Sequence, residues 1–175
     1  MTEKTFLLSS EVQTEEIARK LALAISALIK QSNSSKSDTD IALHISLIGD
    51  LGAGKTTFTR YLLKALGHQG KVKSPTYTLC EPYQLMMDGL SIDGREFSLH
   101  HFDLYRMRYA EEWLDAGFRD TFSHPGICIV EWPEKAEGTL PAVDAELHLT
   151  MNDDESRELI IKAISSRGKA LLEAL

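Results

Sequence analysis

The sequence predicts an α/β fold, a three-layer sandwich built around a mixed parallel and antiparallel sheet. Three observations lead to this prediction. A strand-like apolar run at residues 41–48 precedes a glycine-rich loop, and an amphipathic helical pattern follows that loop. Two later pairs of strand-like runs are separated by turn residues, which is typical of antiparallel hairpins. The length of 175 residues fits one domain, so we expect residues 1–175 to form a single domain.

The amino-terminal part predicts a strand followed by a long helix. Residues 4–8 are typical of a short strand, and Ser10 and Gln13 have the spacing of a capping box at a helix start. Apolar residues then repeat at intervals of three and four, at Ile17, Leu21, Ala24, Ile25 and Leu28. The serine-rich tract at 31–40 predicts a solvated surface loop, because the segment before it is too small to be a domain.

The glycine-rich loop matches G-x-x-x-x-G-K-S/T at Gly49, Gly54, Lys55 and Thr56, the phosphate-binding loop of P-loop nucleotidases. Its glycines allow the backbone to approach a phosphate, and its N–H groups form an anion site at a helix N-terminus. We expect Lys55 to contact the β- and γ-phosphates and the Thr56 hydroxyl to ligate Mg²⁺. The expected nucleotide contacts in the loop are Asp50, Leu51, Gly52, Ala53, Gly54, Lys55, Thr56 and Thr57. The fold expected is therefore that of a P-loop NTPase.

The rest of the chain predicts hairpins and short helices from its β-formers, turn residues and helical periodicity. In chain order the elements are a loop at 71–76, paired strands at 77–86 and 96–105, a short helix at 110–114, a buried strand at 126–133, paired strands at 145–150 and 158–163, and a closing helix at 167–175. The hairpins add antiparallel strands to a parallel centre, which distinguishes this fold from a dinucleotide-binding one.

Two carboxylates follow strand-like runs. Asp103 would emerge at the end of its strand, which suits a Walker B role of holding Mg²⁺ through water. Glu131 comes at the carboxyl edge of the sheet, where the phosphate loop also emerges. It could ligate Mg²⁺ directly or orient the attacking water, and the sequence does not separate these roles. His101 shares a strand face with Asp103, a spacing more typical of a structural histidine than of a metal pair.

Several further residues are candidates for contacts at this edge. Thr76 lies where GTPases carry their first switch and could sense the γ-phosphate through Mg²⁺, the alternative being a plain turn. Trp132 could stack on a base or a partner, or could be an ordinary core residue. Arg106 and Arg108 are candidate phosphate or partner contacts.

Composition excludes several classes of function. The chain is 43% hydrophobic with a net charge of −7, so its overall charge does not attract nucleic acid. Cys80 and Cys128 are too few for a disulfide framework or a metal site and are expected to be small buried hydrophobes. No run approaches the roughly 18 apolar residues of a membrane span, and the N-terminus does not resemble a signal peptide. We expect a cytoplasmic protein that has no membrane association.

Four motifs together resemble the bacterial TsaE proteins, formerly called YjeE. They are GDLGAGKTT at residues 49–57, SPTYTL at 74–79, HFDLYR at 101–106 and VEWPEK at 130–135. Their order and spacing match over nearly the whole chain. The resemblance implies the P-loop ATPase component of the machinery that makes N6-threonylcarbamoyladenosine at position 37 of tRNAs reading codons that begin with A.

The resemblance also implies cofactors, partners and residue roles. The cofactors would be ATP and Mg²⁺, and hydrolysis would be weak without partners. The partners would be TsaB and TsaD, with docking against TsaD near its active site and tRNA met only through the complex. The protein would not itself transfer the threonylcarbamoyl group. By motif match, Lys55, Asp103 and Glu131 would be catalytic, Thr56, Asp103 and Glu131 would hold the metal, and Thr76 and Trp132 would lie by the nucleotide.

Two alternatives use the same phosphate loop. A small-molecule kinase would commonly carry an arginine-rich lid, and Arg106 and Arg108 do not amount to one. A regulatory GTPase would need Asn-Lys-x-Asp to read guanine and Asp-x-x-Gly as its second switch, and the sequence contains neither. Adenine is therefore the expected base.

Overall fold

The computed structural model describes residues 2–34, 42–85 and 97–175. These residues form a seven-stranded sheet. Its strands in chain order are β1 (Glu3–Leu8), β2 (Ala42–Ile48), β3 (Cys80–Leu85), β4 (Phe97–Asp103), β5 (Gly126–Glu131), β6 (Ala145–Met151) and β7 (Arg157–Ala163). In space their order is β1-β7-β6-β2-β5-β4-β3.

The sheet has a parallel centre and antiparallel flanks. Strands β6, β2, β5 and β4 run parallel to their neighbours in this group. The hairpin β6–β7 and the pair β1–β7 extend the sheet on one side, and β3 pairs antiparallel with β4 on the other. This arrangement confirms the predicted α/β fold with a mixed sheet, and both predicted hairpins pair as expected.

Within the described ranges, four helices and two short 3₁₀ turns cover the two faces of the sheet. The helices are α1 (Glu11–Ser34), α2 (Lys55–Ala65), α3 (Glu112–Asp115) and α4 (Ser166–Glu173), and the 3₁₀ turns are Asp120–Ser123 and Pro133–Ala136. Helix α1 contacts both α2 and α4, and the larger buried cluster includes apolar residues of all three helices and of the sheet. A second cluster, which includes Phe102, Trp113 and Phe122, fills the other face beneath α3 and the 3₁₀ turns. The result is the predicted three layers.

Local contacts explain where the two long helices begin and end. Gln13 donates its backbone N–H to Ser10 Oγ at 3.3 Å, and its side-chain Oε1 accepts the N–H of Ser9 at 2.6 Å. This is the predicted capping box, with the second bond displaced by one residue. Helix α2 ends at Ala65, and Gly67, two residues further on, has a φ of 90°. There His68 N donates to Leu63 O at 3.0 Å, as in a Schellman motif.

Two predicted boundaries differ most from the structure. Helix α1 continues to Ser34, so residues 31–34 are helical and do not belong to the predicted loop, because polar residues such as Gln31 can continue an exposed helical turn. Strand β3 begins at Cys80 and not at residue 77. The chain forms a turn before it, where Leu79 has a φ of 61°, a conformation that no strand can contain. Residues 35–41 and the turn-rich stretch at 86–96 lie outside the described residues.

The two cysteines are part of the packed structure. Cys128 is buried, Cys80 is half-buried, and both are free thiols. Burial raises the pKa of each thiol to about 12. In the described part of the chain, no helix has both the length and the apolar character needed to cross a membrane.

Candidate functional site

The phosphate-loop motif lies at the carboxyl edge of the parallel strands. Strand β2 ends at Ile48, and α2 begins at Lys55 after Gly54, whose φ of 105° makes it the left-handed N-cap. The neighbouring strands β4 and β5 end at Asp103 and Glu131, which are directly opposed in the parallel register. The topology therefore collects the predicted loop and both predicted carboxylates at one edge of the sheet.

The glycines of the loop have different surroundings. A Cβ built on Gly49 would lie 2.2 Å from the carbonyl oxygen of Leu149 in β6, and φ at Gly49 is 152°. Glycine is needed there because the loop packs against the sheet. A Cβ on Gly52 would meet no atom within 4 Å, although its φ is 84°. The backbone at Gly52 is thus open to an approaching anion.

Lys55 is held by the loop and by an aromatic ring. Its Nζ donates to Gly49 O at 2.5 Å and to Asp50 O at 2.9 Å. The same atom lies 4.0 Å from the centroid of the Trp132 ring. Burial lowers the pKa of Lys55, and the nearby carboxylates of Glu131 and Asp103 oppose that shift. The side chain is therefore a largely desolvated cation whose charged form is favoured by its acidic neighbours. Its positive charge suits an anionic ligand.

Glu131 is hydrogen-bonded to one side chain of α2 and one of β4. Thr56 Oγ1 donates to Glu131 Oε1 at 2.9 Å, and His101 Nε2 lies 2.8 Å from the same oxygen. The side chains of His101 and Glu131 are 0% and 4% exposed. Within the described residues, His101 Nδ1 is buried and has no hydrogen-bond partner.

Asp103 has a separate set of partners in the predicted switch loop. Thr76 Oγ1 donates to Asp103 Oδ2 at 2.7 Å, and Ser74 Oγ lies 3.3 Å from the same oxygen. The backbone N–H of Tyr105 donates to Oδ1 at 3.1 Å. The two opposed carboxylates are thus connected to different elements, Glu131 to the phosphate loop and Asp103 to the loop before β3.

Aromatic side chains border the site. Trp132 has a φ of 60°, an unusual left-handed conformation for a non-glycine residue, and its ring centroid lies 4.9 Å from that of Tyr105. The ring of Tyr77, which is 85% exposed, stacks with the guanidinium of Arg106 at 4.5 Å. Trp132 therefore lies beside Lys55, whereas Arg106 contacts a tyrosine. Arg108 donates its backbone N–H to Glu112 Oε2.

Three contacts at the site go beyond the sequence-based prediction. Ser74 joins Thr76 at Asp103. His101 contacts Glu131, although its spacing from Asp103 suggested only a shared strand face. Arg157 in β7 packs over the phosphate loop, its Nε 3.5 Å from a Cβ built on Gly54. The Arg157 contact depends on the pairing of β7 with β6, which brings Arg157 to the loop. No local sequence motif encodes this pairing.

The donor groups fit a magnesium nucleotide. Across the described ranges, no group of three His, Cys, Asp or Glu residues could form a metal site by itself. Magnesium commonly takes one or two carboxylates and completes its coordination with phosphates and water. The hydroxyl of Thr56 and the carboxylate of Glu131, 2.9 Å apart, are suitable hard oxygen donors. The open backbone at Gly52 and the ammonium of Lys55 suit the phosphates.

Comparison with known proteins gives consistent results. A family model described as threonylcarbamoyl adenosine biosynthesis protein TsaE matches residues 8–159. The tRNA threonylcarbamoyladenosine biosynthesis protein TsaE of Haemophilus influenzae is 44% identical over 139 residues, which is 79% of this chain and 82% of the relative. The protein of the same name from Bacillus subtilis is 37% identical over 131 residues, 75% of this chain and 76% of the relative.

The fold comparison agrees with the sequence comparison. A crystal structure of YdiB from Bacillus subtilis superposes with a TM-score of 0.71 and 27% sequence identity, covering 99% of this chain and 94% of that one. The family match includes the phosphate loop, the switch loop and both carboxylates. The chain belongs to the TsaE family.

Proposed function

We propose that this chain is a single P-loop ATPase domain, residues 1–175, that binds ATP with Mg²⁺ and hydrolyses it weakly when alone. It would act as an accessory protein in forming N6-threonylcarbamoyladenosine at position 37 of tRNAs that read codons beginning with A. The observation that carries the ATPase part is the bond between Thr56 Oγ1 and Glu131 Oε1, 2.9 Å long. The names of the relatives support the tRNA modification.

Each side chain has a role consistent with its contacts. Bound ATP supplies the reactive γ-phosphoryl group and Mg²⁺ screens its charge. Lys55 would bind the β- and γ-phosphates, and Thr56 and Glu131 would hold the metal. Asp103 would act on the metal through water and orient the attacking water, and its bond to Thr76 would link it to the switch loop. The separate partners of Asp103 and Glu131 support this division.

We further propose that the protein works in the cytoplasm with TsaB and TsaD. The net charge of −7 favours contact with tRNA through that complex over direct binding, since phosphate contacts require basic surfaces. Tyr77, next to Thr76 in the switch loop, is 85% exposed, so its side chain is available to a partner. Aromatic residues of this kind are frequent at the centres of protein interfaces.

The test is phosphate release from ATP, measured with the protein alone and with purified TsaB and TsaD added. We expect slow release that changes when the pair is present. A rate of phosphate release that is unchanged by TsaB and TsaD but increases with a small alcohol or acid would contradict the proposal. It would indicate a small-molecule kinase.

Lys55→Ala tests the phosphate role directly. Two charge-assisted hydrogen bonds to phosphate are worth about 3 kcal/mol, or roughly 100-fold in the nucleotide dissociation constant. The control is Lys64→Ala on the same helix, since Lys64 pairs with Glu15 at 2.8 Å and its side chain is 69% exposed. We expect Lys55→Ala to remain folded and to lose nucleotide binding, and Lys64→Ala to keep it. Normal tRNA modification in cells that carry only Lys55→Ala would contradict the mechanism.

A further inference from the structure

We propose that His101 is a positioning residue that orients the carboxylate of Glu131 for the metal. This inference rests on the proposed Mg²⁺-dependent binding of ATP. His101 would act through Glu131 and would touch neither nucleotide nor metal.

The placement of His101 makes it part of the site and not only of the core. It precedes Asp103 by two residues on β4 and is opposed to Ile129 on β5. In the register of the two strands it therefore lies two positions before the opposed pair of Asp103 and Glu131. Its side chain is 0% exposed, which leaves no room for solvent to substitute for it. Its Nε2 reaches Glu131 Oε1 at 2.8 Å, although the strand behind Glu131 is otherwise apolar.

The direction of the hydrogen bond follows from the acceptor. A carboxylate oxygen only accepts, so the hydrogen lies on Nε2 and His101 donates it. In the described residues Nδ1 is buried and has no partner. A buried side chain that served packing alone would be cheaper as an apolar residue, because an unpartnered buried nitrogen is unfavourable. The hydrogen bond to Glu131 therefore accounts for a histidine at this buried position.

Two donors converge on the same oxygen of Glu131. Thr56 Oγ1 and His101 Nε2 lie 2.9 Å and 2.8 Å from Oε1, whereas Oε2 is 3.3 Å from the Thr56 hydroxyl. His101 thus holds Oε1 of Glu131 in place and leaves Oε2 available for the metal beside Thr56. Carboxylates that ligate metals depend on such hydrogen bonds, and losing one typically costs 10–100-fold in metal affinity.

The experiment compares variants by the Mg²⁺ concentration that half-saturates binding of a fluorescent ATP analogue. His101→Phe keeps a ring and removes the donor, His101→Asn keeps a polar group that is too short to reach Glu131, and His101→Gln can place an N–H near the position of Nε2. The matched control is His148→Phe, because His148 Nε2 contacts Glu146 Oε2 at 2.9 Å in a similar pair on β6. Circular dichroism checks that each variant is folded, and binding is also measured in EDTA.

We expect His101→Phe and His101→Asn to require about 10–100-fold more Mg²⁺, with metal-free nucleotide binding unchanged. His101→Gln should recover most of the loss, and His148→Phe should match the unmodified protein. The inference is overturned if folded His101→Phe and His101→Asn keep the ordinary Mg²⁺ requirement, or if binding in EDTA falls equally, which would indicate a packing role. If the unmodified protein itself shows no Mg²⁺-dependent binding, the proposed function fails as well.

Discussion

The ammonium of Lys55 lies 4.0 Å from the ring of Trp132, so a change at the phosphate loop should alter the environment of that indole. The chain has two tryptophans, and Trp113 is buried in the second cluster with its Nε1 bonded to Thr139 Oγ1 at 2.8 Å. Cation–π contacts weaken when the cation moves away from the ring. Trp132 is therefore a natural reporter of nucleotide binding.

We predict that Trp113→Phe, in which Trp132 is the remaining tryptophan, changes its fluorescence when ATP and Mg²⁺ bind. Trp132→Phe should show little change, because Trp113 is 2% exposed and its indole N–H is held by Thr139 Oγ1. Titration of emission against nucleotide, with binding confirmed by calorimetry, measures both. An equal change in the two variants would mean that nucleotide binding acts on the whole structure and not on the Lys55–Trp132 contact.

At this scale the sequence predicts which residues lie together at the site better than it predicts their contacts. The P-loop motif identifies Lys55 and Thr56 because their spacing alone specifies a phosphate loop. Asp103 and Glu131 are recognisable because both end strands at the same edge. That Glu131 bonds Thr56 while Asp103 bonds Thr76 depends on side-chain distances across three elements, which spacing along the chain does not encode.

The loop between β2 and α2 allows a comparison of two glycines at the scale of the element. Gly49 lies against the backbone of β6, whereas Gly52 has open space around its Cα. A Cβ at Gly49 cannot be accommodated by rotating a side chain, because its nearest neighbour is the carbonyl oxygen of Leu149. The loop would have to move away from the sheet.

We predict that Gly49→Ala lowers the free energy of unfolding by about 3 kcal/mol, from the clash and the positive φ together. Gly52→Ala should cost about 1 kcal/mol, from its φ alone. Urea denaturation of both variants without nucleotide provides the comparison. Equal losses in the two variants would show that packing against β6 does not determine the shape of the loop.

The sequence predicts most of the helices and strands, but it predicts their first and last residues less well. The hairpins β3–β4 and β6–β7 follow from β-formers on either side of turn residues. The predicted start of β3 is wrong because residues 77–79 have strand propensity and yet form a turn, directly after Thr76, whose Oγ1 donates to Asp103 at 2.7 Å. A tertiary hydrogen bond determines that boundary, and local propensity is overridden.

For the molecule as a whole, the sheet order makes the parallel centre the best protected region. Strand β5 lies between β2 and β4, and its six residues are all buried. Strand β3 lies at one edge of the sheet, and among the described residues no further strand pairs with its outer side. Protection from solvent exchange generally follows burial and hydrogen bonding of this kind.

We predict that backbone amides of β5 and β2 exchange with deuterium most slowly and those of β3 fastest among the strands. Hydrogen exchange followed by mass spectrometry measures this directly on the full chain. Protection of β3 as strong as that of β5 would indicate that its edge is covered in solution, for example by a second copy.

The fold class follows from the sequence, but the strand order does not. A parallel centre is expected from a strand, a phosphate loop and a helix in succession. That β6 lies beside β2, and that β1 joins β7 across 150 or so intervening residues, depends on long-range pairing that local patterns do not specify.

The contact between Gly49 and the backbone of β6 has a consequence for how such a chain would diverge. A clash with a backbone carbonyl oxygen cannot be relieved by changing a side chain elsewhere, so packing against the sheet by itself favours glycine at position 49. Under the proposed function, Lys55 and Thr56 would be maintained mainly by selection for nucleotide binding. In a descendant that is no longer selected for ATP binding, we expect Lys55 and Thr56 to be substituted first. Gly49 would remain in a loop that no longer binds phosphate.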